Sequence, residues 1–140
     1  MLFRSVAQAL LMLGRTDEVQ ATADRVVDLG ASDARRVSGA YDVAAQAALM
    51  LGDDARGYDL ARRGVATLPS SAYAHGTLAA ADALTGRHEE AATELSALLK
   101  LWPTATVADY DHLRRSTHPI YLLQRARLYE GLRKAGLPER

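Results

Sequence analysis

The chain reads as an all-α domain, and three observations predict it. Apolar residues recur three and four positions apart rather than alternating. Alanine is abundant while Val and Ile are sparse, a composition that favours helix. The stretch GDDARGYDLARRGVATLP, Gly52–Pro69, is echoed downstream by GRHEEAATELSALLKLWP, Gly86–Pro103, each copy opened by Gly and closed by Pro at the same spacing.

Gly and Pro punctuate the rest. Breaks at Gly14, Gly30, Gly52, Pro69, Gly86, Pro103, Pro119 and Gly136 leave segments of three to five turns, roughly eight helices. A Gly after a helix adopts the left-handed conformation that ends it, and a short turn then sends the next helix back antiparallel. Pro69 and Pro103 bar continuation of the helices before them. Gly57, Ala61 and Gly64 lie on one helix face; mid-helix Gly costs about 1 kcal/mol against Ala, so close packing there is expected.

Laying 38–71 over 72–105 aligns Ala45 with Ala79, Ala47 with Ala81, Gly52 with Gly86, Gly57 with Ala91 and Pro69 with Pro103. The second unit supplies Tyr41, Ala44–Ala45, Gly52, Gly57, Ala61, Gly64 and Pro69. The third supplies His75, Leu78–Ala79, Gly86, Ala91, Leu95, Leu98 and Pro103. An earlier unit over 1–33 carries Phe3, Val6–Ala7, Leu10, the turn residue Gly14 and Val19. Its offset from the second unit exceeds the period by about four residues, inserted near Asp33–Val37 as an extra turn or a longer loop. Gly30 stands where the other units have Pro.

A 34-residue period with these slots resembles the tetratricopeptide repeat (TPR), a helical hairpin that stacks side by side. The resemblance implies a TPR-like right-handed superhelix of about three repeats (1–33, 38–71 and 72–105), closed by a carboxy-terminal capping pair over 106–136, in one domain spanning 1–140. In that pair Thr106–Asp109 is a capping box opening a short helix to about Arg115, and Pro119 starts a longer helix ending near Gly136. Its expected buried stripe is Ile120, Leu123, Leu128 and Leu132, with Arg133 and Lys134 at the negative helix end. A terminal pair has to shield the last hydrophobic face.

The closing segment LYEGLRKAGLPE, Leu128–Glu139, preceded by PTATVADYDHLRRSTHP, Pro103–Pro119, resembles the carboxy-terminal region of bacterial adenylate/guanylate cyclase-like proteins and of winged-helix regulators. In those proteins the cyclase chemistry and the DNA contacts belong to separate domains. No position here matches their motifs, so the resemblance carries over no catalytic or DNA-reading residue.

Composition narrows the function classes. Of 140 residues, 49% are hydrophobic, 17 are basic and 17 acidic. That balance provides no overall field for nucleic acid or an anionic membrane. Cysteine is absent, which removes disulfides and thiol chemistry. MLFRSVAQALLML lacks the small-residue cleavage site of a secretion signal, and no window approaches the ~20 apolar residues of a spanning helix. A soluble cytoplasmic protein is expected.

Candidate chemistry is sparse. Asp109, Asp111, His112 and His118 could in principle hold a divalent ion, but Asp111 diverges from the Asp109–His112 face and no HExxH pair exists, so capping and solvation account for them. His75 fills a large-residue repeat slot and is expected to pack; His88 follows a turn and is expected to be exposed. Glu89 and Glu90 diverge by about 100° on a helix, a solvated first turn rather than an acid/base pair. There is no GxSxG elbow and no phosphate-cradling loop. Arg35–Arg36, Arg62–Arg63 and Arg114–Arg115, with seven Lys/Arg against four Asp/Glu over 106–140, read as solvated helix surface rather than a nucleic-acid face. No catalytic residue, cofactor or metal is expected.

The concave face of such a stack, lined by the first helix of each hairpin, is the default recognition surface. By repeat position it displays Arg4, Gln8 and Leu11, then Asp42, Gln46 and Leu49, then Tyr73, Gly76 and Ala80. Family members that clamp a peptide carboxylate carry Lys and Asn where this chain has Asp42, Gln46, Gly76 and Ala80, which argues against that specificity. The expected function is a non-enzymatic scaffold that binds a protein or peptide segment in bacterial signalling. The alternatives are a small-ligand sensor or regulatory region of a larger cyclase or transcription regulator, and a self-association module forming homo-oligomers.

Overall fold

The computed structural model describes residues 2–29, 32–112 and 116–140, except for the side chains of 2–5, 8, 26 and 112. Among these the chain forms α1 (Leu2–Met12), α2 (Val19–Asp28), α3 (Ala34–Met50), α4 (Asp54–Thr67), α5 (Ala72–Leu84), α6 (His88–Leu101), α7 (Val107–His112) and α8 (Pro119–Ala135), with a single 3-10 turn at Thr16–Glu18 and no strand.

The repeat is visible in the backbone. After α3, Leu51 N donates to Ala47 O at 3.0 Å, Gly52 N to Leu49 O at 3.0 Å and Asp53 N to Ala48 O at 2.9 Å. The turn after α5 makes the same three bonds one period on: Thr85 N to Ala81 O (3.0 Å), Gly86 N to Ala83 O (3.3 Å) and Arg87 N to Asp82 O (2.8 Å). Leu13, Gly14 and Arg15 close the turn after α1 in the same way. Gly14, Gly52 and Gly86 have φ of 73°, 82° and 79°, the left-handed residue this helix stop demands. The second helices also end alike: Leu68 and Trp102 have φ/ψ of −142°/84° and −140°/82°, extended residues before Pro69 and Pro103. Gly30 lies outside the described residues.

The insertion is an extra turn. Helix α3 has 17 residues against 13 in α5, and its added start is capped by Asp33, whose side chain accepts from Arg35 N at 3.0 Å. Each hairpin is antiparallel and packs on the next through α2 on α3 and α4 on α5. The larger apolar cluster joins Ala44, Ala45, Leu49, Leu60 and Ala61 of the second hairpin to Leu78, Ala81 and Leu98 of the third.

The closing pair divides its work. The Thr106–Asp109 box forms, with Asp109 N donating to Thr106 Oγ1 at 3.2 Å and Asp109 Oδ2 accepting from Thr106 N at 2.9 Å. Val107 N and Ala108 N, unpaired within the helix, donate instead to Pro138 O and Glu139 O at 2.8 and 3.1 Å. Val107, Tyr110 and Leu137 thereby join the core. Helix α8 turns back along α5 and α3. Half of its expected stripe is corrected: Leu128 and Leu132 are buried, but Ile120 and Leu123 are 47% and 78% exposed. The buried face carries Tyr121, Arg125, Leu128 and Leu132, because α8 meets the three hairpins along that side. The expected extension of α7 to Arg115 lies outside the described residues.

Candidate functional site

The face expected to be open to a partner is covered by the chain's own α8. Arg125, only 6% exposed, is its polar anchor. The guanidinium donates through Nη1 to Gln46 Oε1 at 3.3 Å, through Nη2 to Tyr110 O at 3.3 Å and through Nε to Tyr129 Oη at 2.9 Å. It lies 5.6 and 5.4 Å from the ring centres of Tyr121 and Tyr129, within cation–π range. Gln46 Nε2 donates to Asp42 Oδ2 at 3.0 Å, and Thr77 Oγ1 donates to Asp42 Oδ1 at 2.6 Å. Helix α8 thus shares one polar network with α3, α5 and α7.

Further contacts come from α8 and the segment just before it. Ser116 Oγ donates to Met12 O at 2.7 Å, and Thr16 Oγ1 donates to Gln124 Oε1 at 2.5 Å. Arg127 Nη2 pairs with Asp54 Oδ2 at 2.5 Å. At Gly131 the backbones close in: a β-carbon there would sit 2.9 Å from both Ala80 Cβ and Ala80 O.

The expected groove residues therefore have other work. Leu11 shares an apolar cluster with Tyr121, and Leu49 is buried against Gly57. Gly76 lies under the Tyr110 ring and Ala80 under Gly131. Asp42 and Gln46 hold Arg125 in place. Tyr73 alone of the described set is substantially exposed, at 44%, and its ring centre lies 5.8 Å from that of Trp102 and 6.3 Å from that of Tyr110. The side chains of Arg4 and Gln8 lie outside the described residues.

No protein-family model matches the chain. No curated protein is significantly similar to it either.

Burial sets the electrostatics here. It pushes the Tyr110 hydroxyl well above the usual tyrosine range, with the Asp42 charge acting the same way, and that hydroxyl has no hydrogen-bond partner among the described residues. Burial also raises Tyr129, against the opposing pull of Arg125. Among the described residues no group of three or more His, Asp or Glu is placed to hold a metal ion. Asp109 is committed to its cap, and the His112 side chain and the Arg114–Arg115 pair lie outside the described residues. Glu89, Glu90 and His88 are exposed at the start of α6. Arg62 and Arg63 both pair with Asp59, at 3.5 and 2.9 Å.

One surface feature escaped sequence reasoning. Leu13 and Leu51, at the same position of successive turns, are 57% and 51% exposed, and on α8 Ile120 and Leu123 are likewise exposed. A β-carbon on Gly14, next to Leu13, would lie 3.0 Å from Ile120 Cβ, so the start of α8 lies against the turn after α1. Charges at the rim are already paired, Arg127 with Asp54 and Arg15 with Glu18. A signal existed: both turn leucines directly precede the terminating Gly, where no helix covers them. The hollow on α6 lined by Ala92, Leu95, Ser96, Leu99 and Lys100 is shallow and open, about 390 Å³.

Proposed function

We propose that the chain is a non-enzymatic helical-repeat interaction module of the tetratricopeptide type, a right-handed stack of about three repeats, acting in bacterial signalling or regulation in the cytoplasm. Support for the repeat class comes from the turn hydrogen bonds that recur one period apart, after α3 and again after α5. The signalling context rests on the resemblance of the Leu128–Glu139 segment.

The observation that carries the interaction role is the exposure of four large apolar side chains, Leu13 and Leu51 on successive turns and Ile120 and Leu123 on α8, with Arg15 and Arg127 already paired. Exposed contiguous apolar surface rimmed by polar groups marks a contact site. Because Arg127 and Arg15 at the rim are spent on Asp54 and Glu18, the matching partner is the apolar face of an amphipathic helix from another protein, and the repeat face itself serves to hold α8.

Photo-crosslinking from position 123, with position 100 as control, tests this. A helical segment joined at 123 but not at 100, and lost from Leu13→Glu, supports the edge as the contact. Crosslinks that persist unchanged in Leu13→Glu and Leu51→Glu overturn it.

A further inference from the structure

The third hairpin differs from the second at three equivalent core positions. Tyr41, Ala48 and Leu60 correspond, one period on, to His75, Asp82 and Glu94. In the second hairpin these are apolar: Ala48 and Leu60 belong to the core cluster and Tyr41 packs against it. In the third, all three can ionise.

Their geometry fixes where protons must sit. His75 Nε2 lies 2.8 Å from Pro69 O and Nδ1 lies 2.5 Å from Glu94 Oε2. A carbonyl oxygen only accepts, so Nε2 carries a hydrogen. The Nδ1 contact with a carboxylate oxygen is a hydrogen bond only if a further proton lies between the two. Asp82, two turns along α5 on the same face, is 2% exposed and its Oδ1 has no hydrogen-bond partner among the described residues. The charges acting on it are Glu94 and Glu90 from α6 and Arg87 from the turn, and none of those comes from α3, α4 or α8. Arg87 is itself stacked on the Tyr58 ring of α4, 3.8 Å from its centre.

We propose that His75, Asp82 and Glu94 form a proton-controlled joint inside the α5–α6 hairpin, closed while Asp82 holds a proton and loosened as that proton leaves. A buried carboxylate without a partner favours its neutral form. Burial first, then Glu94, raises Asp82 from 3.8 to about 6. The folded chain thus keeps this proton to about pH 6 and the unfolded chain only to 3.8, so stability falls as pH rises between those values and stays low above them.

Amide hydrogen exchange, corrected for intrinsic rates, reads this locally. Protection of α5–α6 relative to α3–α4 is expected to drop about tenfold between about pH 5 and about pH 7.5. The drop vanishes in Asp82→Asn and in the triple variant His75→Tyr, Asp82→Ala, Glu94→Leu, which restores the residues of the second hairpin. A pH-independent ratio in the unaltered chain, or an undiminished drop in Asp82→Asn, overturns the joint. If neither variant folds by circular dichroism, carboxyl-carbon NMR of the unaltered chain decides: an Asp82 midpoint near 6 supports the joint, and one near the ordinary value of 3.8 overturns it.

Discussion

Leu49 packs so closely on Gly57 that a β-carbon at 57 would stand 2.6 Å from Leu49 Cδ2. The equivalent positions of the third hairpin are Ala83 and Ala91, both buried, so a large and an absent side chain become two small ones. Gly64, on the same helix, would place its β-carbon at an ordinary 3.5 Å from Tyr41 Cβ. Gly57→Ala should therefore cost about 1–3 kcal/mol through overpacking. Gly64→Ala should gain up to ~1 kcal/mol from helix propensity. Urea unfolding checks both. In a double-mutant cycle, Leu49→Ala should cost less in the Gly57→Ala background than alone; strict additivity would mean that the two side chains do not compete for the same space.

Gly131 lets α8 approach α5 at the Ala80 carbonyl. Backbone cannot swing aside as a side-chain tip can, so Gly131→Ala should destabilise by about 1–3 kcal/mol and speed amide exchange along α8. Unchanged exchange in α8 would count against the close approach.

Arg125 and Tyr110 predict opposite signs. Arg125→Met leaves Gln46 Oε1 and Tyr110 O without this donor and should cost about 1–3 kcal/mol, with Lys failing to restore the three-way contact. Tyr110→Phe removes a buried hydroxyl that has no partner among the described residues, and should be neutral or gain up to about 1 kcal/mol. Thermal unfolding distinguishes the two; a large loss for Tyr110→Phe would reveal a hydrogen bond to that oxygen.

Gly52 and Gly86 have open space around the position of a β-carbon, so substitution there tests the backbone alone. At φ of 82° and 79°, L-Ala should cost about 1–2 kcal/mol at either site. Asn should cost less, and D-Ala, introduced by chemical synthesis, should cost nothing. Equal penalties for both hands of alanine would remove left-handed strain as the cause.

The hairpins were legible because Gly and Pro act locally: Gly14, Gly52 and Gly86 end their helices through bonds to nearby residues of the same turn, and the Thr106–Asp109 cap closes within a single turn. Counting against the period placed about four inserted residues near Asp33–Val37 and left open an extra turn or a longer loop; the structure makes them the first turn of α3. The position of α8 was not legible, because it depends on contacts between residues far apart in the chain, such as Arg125 with Gln46. Hydrophobic periodicity favours Ile120 and Leu123 for burial; the apolar cluster that takes in Tyr121 and the polar network that holds Arg125 select the other side of the helix. The groove assignment put Asp42, Gln46, Gly76 and Ala80 on one side of the stack, and it missed that the same chain supplies what lies against them.

Repeat arrays ordinarily hold together by nearest-neighbour contacts, so their ends can fray one unit at a time. Helix α8 ties Thr16 of the first hairpin to Ala80 of the third in a single rigid rod. Such a strut couples the terminal units to each other, and the chain should melt in one cooperative step that a plain stack of three hairpins would lack.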